Sequence, residues 1–312
     1  MGRRSAGLAV MLVAVFAVVV ISAQVHGRRV VVGAAGVAPV PRPAAVGDCL
    51  LDRPGPDDGW GYGAGPLYPA LRLAPCTGVR WGEVVSIFPG ALTASTSVTT
   101  TDSNGNTYTD NPNQSRCSKN QATYLGEAAE SPFGWSMLLG NSAAVGPTTR
   151  QRMSGQSWIA CVITPASGTS ATFTRYSGSV RNALTGGALP SPFASCAPFV
   201  VVAEFVAGPC DQPHRVEVFG ISMPSPGETR AHLDSSCVQL IRWLMRDQDP
   251  TKGGQLAVRT AVAHIDPDTG TPAEGFSSNG DRSKAACFIE PASPRQLHGT
   301  LFGLGSNPVP LR

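Results

Sequence analysis

The chain lacks every short signature of a nucleophilic or phosphate-binding enzyme site. It has no Gly-x-Ser-x-Gly elbow, no Ser-x-x-Lys, no His-Glu-x-x-His and no glycine loop that would cradle phosphate. Lysine is nearly missing: only Lys119, Lys252 and Lys284 among 24 basic residues, the rest being arginine. With abundant Ala, Gly and Val, that bias suggests a GC-rich genome rather than a function. A concentrated basic patch is also missing, which excludes a surface that tracks a phosphate backbone and so a nucleic-acid partner. The formal charge of +3 comes from the N-terminus; without Arg3, Arg4, Arg28 and Arg29, 20 basic residues stand against 21 acidic ones, a balance of −1. There is no Cys-x-x-Cys, and no histidine pair lies near a cysteine pair at ligand spacing. Zinc is therefore not expected, and no other cofactor is implied.

What the chain does have is eight cysteines in two sets of four with one local signature. Cys76 is followed seven and eight residues on by Glu83-Val84, and Cys210 by Glu217-Val218. A third cysteine comes in a helix-like segment (Cys117, Cys237), and a fourth opens Cys161-Val162-Ile163 or Cys287-Phe288-Ile289. Both sets close on a similar tail, Gly178-Ser179-Val180 and Gly299-Thr300-Leu301. An even, repeated count predicts a disulfide framework in an oxidising compartment. Spacing alone does not set the connectivity. A pairing that joins only neighbours within a repeat gives Cys49–Cys76, Cys117–Cys161, Cys196–Cys210 and Cys237–Cys287, and leaves no free thiol as a nucleophile.

The N-terminus agrees with export. Arg3 and Arg4 precede an uncharged stretch from Ser5 to Val25, and Arg28-Arg29 follow it. A helix of that length spans roughly 30 Å, about the thickness of a bilayer's hydrocarbon core. Residues 1–29 are read as a signal anchor. The alternative is a cleaved signal peptide ending after Ile21-Ser22-Ala23, which the length of the apolar run and the arginines behind it disfavour. Residues 30–45 form a Pro, Ala and Val linker. Two repeats follow, 46–190 and 191–312. The expected fold class is α+β: two tandem small disulfide-stabilised domains, each a short antiparallel sheet with one principal helix, behind a transmembrane helix.

Within the repeats, Glu83–Phe88, Val216–Ile221, Trp158–Thr164, Gln255–Ile265 and Ala285–Glu290 read as strands. Ser97 to Asp110 reads as a hairpin around Asn104-Gly105; as a calcium loop it fails, with Thr107 where glycine is required. The third cysteine of each set is taken to open a helix. Asp234 or Ser235 would cap the second, whose stripe is Val238, Ile241, Leu244 and Met245, and Gly126 would stop the first. Between Asp52 and Pro69 lies an insertion with Trp60, Tyr62 and Tyr68. Its rings would pack on their own domain or stack on a sugar.

The candidate site residues are His214 and Glu217, three apart. A histidine–carboxylate pair suits general acid–base work or metal binding. Against this, the position of His214 is held by Arg80 in the first repeat, and residues three apart on a strand face opposite sides unless the chain turns at Pro213. A structural role suits both copies: a basic group (Arg80, His214) meeting a carboxylate (Glu83, Glu217) near a bridge.

Cys-x-x-Pro-His-x-x-Glu-Val, with Gly47-Asp48-Cys49 upstream, resembles the septum formation domain of actinobacterial envelope proteins, in two tandem copies over about residues 46–310. The first copy has Val79-Arg80 in place of Pro-His; the second has Ala194-Ser195-Cys196 in place of Gly-Asp-Cys. The resemblance implies an anchored extracytoplasmic protein of cell division or the cell envelope. It brings no catalytic residues. The expectation is a non-enzymatic envelope protein, held in the membrane by its N-terminal helix, that binds a division protein or cell-wall glycan. The alternative is a wall hydrolase or transferase using His214 and Glu217.

Overall fold

A computed structural model describes residues 39–53, 71–90, 98–101, 107–110, 112–126, 133–137, 139–165, 174–186, 189–199, 208–225, 227–266, 269, 271–277 and 283–312. The expected anchor (1–29), Trp60, Tyr62, Tyr68 and the Asn104-Gly105 turn fall outside these residues. Among the described residues no helix is long and apolar enough to cross a membrane. By contacts the chain divides into Met1–Val40, of which only 39 and 40 are described, and Pro41–Arg312. Both sequence repeats lie within the second unit.

The fold is α+β with antiparallel sheets. In the first half, β1 (Asp48–Leu50), β2 (Leu73–Pro75) and β3 (Gly82–Pro89) are followed by a hairpin of β4 (Val98–Thr101) and β5 (Thr107–Asp110). Helix α1 (Pro112–Leu125), β6 (Ser136–Met137), β7 (Asn141–Val145), the short α2 (Thr149–Met153) and β8 (Trp158–Thr164) complete it. The second half contains β9 (Ser195–Ala197), β10 (Val216–Ser222), helix α3 (Arg230–Met245), β11 (Leu256–Ile265), β12 (Pro272–Glu274) and β13 (Lys284–Pro291). One sheet runs β2-β1-β3-β8-β7 and the other β12-β11-β13-β10-β6, with β9 also on β10.

Alternation along the central strands explains why both faces of each sheet are covered. In β8, Ile159, Cys161 and Ile163 face the main core, while Trp158, Ala160 and Val162 join Leu50, Val84 and Val145 on the reverse. β13 does the same, with Cys287 and Ile289 on one side and Ala286 and Phe288 on the other. A β-bulge interrupts β3 between Val84 and Ser86, and another interrupts β10 between Val218 and Gly220. Bulges shift a strand's facing residues, and here each directs a side chain, Val85 or Phe219, into the same main core.

The four disulfides are those that join neighbours: Cys49–Cys76, Cys117–Cys161, Cys196–Cys210 and Cys237–Cys287, with Cα separations of 4.9 to 5.4 Å. Two of them fasten a helix to its sheet, Cys117 of α1 to β8 and Cys237 of α3 to β13. Neither cysteine opens its helix. α1 starts at Pro112, a residue whose missing N–H costs nothing in a first turn. α3 is capped by Thr229, whose hydroxyl accepts from the His232 N–H. Asp234 and Ser235 are not caps because both are already used inside the helix, by Arg230 and the His232 carbonyl. Gly126 follows α1 with a positive φ of 85°, the left-handed stop expected of it.

The halves share their largest core. β6 belongs to the first half by sequence, yet it pairs with β10 at Gly220 and Ile221, end to end with β9 at Val216 to Val218. Just before it, Trp135 is 1 % exposed, and its indole N–H donates to Ser236 Oγ of α3 at 2.9 Å. Gly220 makes room for this: a Cβ there would lie 3.1 Å from both Trp135 Cβ and Leu240 Cδ2. Phe133 tilts against Trp243, and Arg246 donates to the Ala183 carbonyl at 2.8 Å.

Candidate functional site

Each half carries a buried cluster of a disulfide, a basic residue and a glutamate, built on equivalent strands. In the first, Cys49 on β1 sits opposite Glu83 on β3; in the second, Cys196 on β9 sits opposite Glu217 on β10. The basic residue precedes the long strand and forms an isolated bridge to a later segment, Arg80 with Tyr176 and His214 with Leu297. Asp48, Arg80, Glu83, His214 and Glu217 are all at most 9 % exposed.

The glutamates are held alike. Glu217 accepts from the Thr300 hydroxyl and, at 2.7 Å, from the Leu301 N–H. Glu83 accepts from the Ser179 hydroxyl at 2.6 Å and the Val180 N–H at 3.2 Å, and additionally from Tyr124 Oη at 2.5 Å. The repeated Gly-Ser-Val and Gly-Thr-Leu tails therefore serve one purpose, each supplying a hydroxyl and a backbone donor to a buried carboxylate. Burial raises the Glu217 carboxyl to about 8, and the two donors only partly offset it. Burial likewise pushes the Tyr176 phenol up, and the Tyr124 phenol with it. Thr300→Ala leaves the Glu217 carboxyl with a single donor. The expected loss is about 1–3 kcal/mol in denaturant unfolding, with the carboxyl raised further.

The basic residues do not meet these carboxylates in ion pairs, contrary to the pairing expected from the sequence. Arg80 Nη1 instead donates to Cys49 Sγ at 2.8 Å, with the guanidinium 5.5 Å from the Tyr176 ring. Arg80 Nε and the Tyr176 hydroxyl are buried without hydrogen-bond partners. His214 Nε2 lies 3.1 Å from Cys196 Sγ, and Nδ1 lies 2.7 Å from the Gln212 carbonyl oxygen. At that distance from an acceptor Nδ1 carries the proton, so Nε2 presents a lone pair to the sulfur. Burial lowers the His214 pKa, in keeping with a neutral ring.

His214 and Glu217 do not point to opposite faces: the strand begins only at Val216, and the chain bends at Arg215 rather than turning at Pro213. The bend brings ligand-type atoms of Cys196, Cys210, His214 and Glu217 within 4.8 Å of one another. No thiol is available as a nucleophile, since none of the cysteines is free. Spacing along the chain does not reveal this foursome, because Cys196 reaches it from a separate strand.

No family model, curated protein or solved structure matches the chain.

Proposed function

We propose that this chain is a non-enzymatic, membrane-anchored extracytoplasmic envelope protein of septum-formation type, whose two disulfide-bearing halves form a scaffold that binds a cell-division protein or cell-wall glycan. The observation that carries the reading is the pair of clusters. Their glutamates and, apart from the half-buried Cys76, their cysteines are buried and engaged internally, which suits a staple better than a site that receives substrate. Four disulfides favour an oxidising compartment, and the apolar stretch from Ser5 to Val25 supplies the anchor.

The test is a fluorescent fusion in the native host together with cross-linked capture from envelope extract. The expected result is enrichment at division sites and recovery of division or wall components. A uniform peripheral signal with nothing of that kind captured would sink the proposal. The convergence of His214 and Glu217 favours one second reading, a wall hydrolase or transferase. Unchanged wall turnover in a folded His214→Arg protein removes it.

A further inference from the structure

Two sulfurs, an imidazole nitrogen and a carboxylate oxygen make up a four-coordinate donor set for zinc-like cations. Cys196, Cys210, His214 and Glu217 place these atoms within 4.8 Å of one another, and all four residues are buried. In the oxidised chain the sulfurs are bonded to each other, so neither serves as a thiolate ligand. Opening that bond need not disperse the set, because separate backbone hydrogen bonds hold each member. Cys196 exchanges two with Gly208, His214 exchanges two with Leu297, and the Cys210 carbonyl accepts from Gly299. Glu217 stays in register opposite Cys196.

The imidazole is also set as a ligand's would be. Its Nδ1–H donates to the Gln212 carbonyl, and Nε2 aims its lone pair at the sulfurs. A metal-bound histidine is ordinarily oriented by such a second hydrogen bond. The disulfide sulfur offers that lone pair no proton, so a buried acceptor is left pointing into the cluster.

We propose that Cys196, Cys210, His214 and Glu217 form a reduction-gated site for a thiophilic divalent cation such as zinc. A dithiol reductant delivers two electrons and two protons to the Cys196–Cys210 bond and leaves as its own disulfide. As the cation binds, two metal–sulfur bonds form, and the thiol protons and the Glu217 carboxyl proton pass to solvent. His214 Nε2 and one Glu217 oxygen fill the remaining positions. The first half provides an internal control. It has the same frame, Cys49 opposite Glu83 with Cys76 bonded to it, but Arg80 stands at the histidine's position. A guanidinium has no lone pair to give and repels a dication. One site per chain follows, not two.

The experiment uses the full chain, reduced anaerobically with a phosphine and titrated with Co²⁺. The expected result is one equivalent bound, with thiolate-to-cobalt charge transfer and the intense d–d absorption of a tetrahedral site, both lost on adding Zn²⁺. Alkylation mapping then finds Cys196 and Cys210 protected by metal, and Cys49 and Cys76 equally labelled with or without it. His214→Arg copies the basic residue with which the first half folds, and it weakens binding by at least the roughly 10–100-fold that loss of a ligand's outer-shell partner costs. Cys49→Ser with Cys76→Ser retains the spectrum. The proposal is overturned if reduced protein shows no thiolate band, whether folded or unfolded. It is also overturned if His214→Arg binds as tightly as the parent, which would put the metal on other cysteines.

Discussion

With its disulfides intact and metal chelated, the protein loses stability as the pH rises from about 6.5 to 8, and Glu217→Gln abolishes the loss. The folded chain holds the Glu217 proton to about 8, against an ordinary 4.5. Between those values the folded state binds more protons than the unfolded one, so the contribution is full below 4.5 and is gone once the pH has climbed through 8. At about 1.36 kcal/mol per unit the whole swing is about 5 kcal/mol. His214, the titratable neighbour in the cluster, acts the other way. Burial lowers its pKa from 6.5, so its contribution is present above 6.5 and is lost as pH falls. The two slopes oppose each other in acid, and of the two only Glu217 contributes from 6.5 to 8, a drop of about 2 kcal/mol. The measurement is urea unfolding of both proteins from pH 4 to 9. Relative to the parent, Glu217→Gln gains about 5 kcal/mol across the range. A constant difference would mean that Glu217 ionises in its buried site without penalty.

Trp135→Ala costs about 3–5 kcal/mol, the usual range for emptying the space of a fully buried large aromatic. The ring comes from the first half but fills space between β10 and α3 of the second, so its removal weakens both. Fluorescence and far-ultraviolet circular dichroism should follow one unfolding transition in the parent, since the two halves bury their side chains in one cluster. In the variant the midpoint falls on both probes together. Gly220→Ala attacks the same contact from the other side by crowding Trp135 and Leu240, at about 1–3 kcal/mol. A loss below about 1 kcal/mol for Trp135→Ala would contradict a shared core.

The parts of this fold legible in the sequence were those written in local pattern. The cysteine frame, the strand Trp158–Thr164 and the left-handed stop at Gly126 all followed from short-range chemistry, while the pairing came only from confining each bridge to neighbours within a repeat. The correspondence of Arg80 with His214 and of Glu83 with Glu217 was visible too, because duplication preserves offsets. Three things were not legible. The cap of α3 lies at Thr229, a full turn before the residues chosen, since Asp234 had an equally good use as a partner of Arg230. The crossing of β6 to β10 involves two residues, too few for any periodicity to betray. The cluster at His214 depends on a bend at Arg215 and on a strand that arrives from fourteen residues upstream of Cys210. Strand alternation separates the two residues unless the chain turns, and the turn comes at Arg215 rather than at Pro213.

The divided edge of β10 also bears on the order in which the chain is made. An uncovered strand edge is a template for stray pairing with another copy. β9 and β6 both precede β10 in the sequence, and domains assemble from the N-terminus as synthesis proceeds. When β10 leaves the ribosome, the strands that close its edge have already been made. Its vulnerable side never has to wait for a partner.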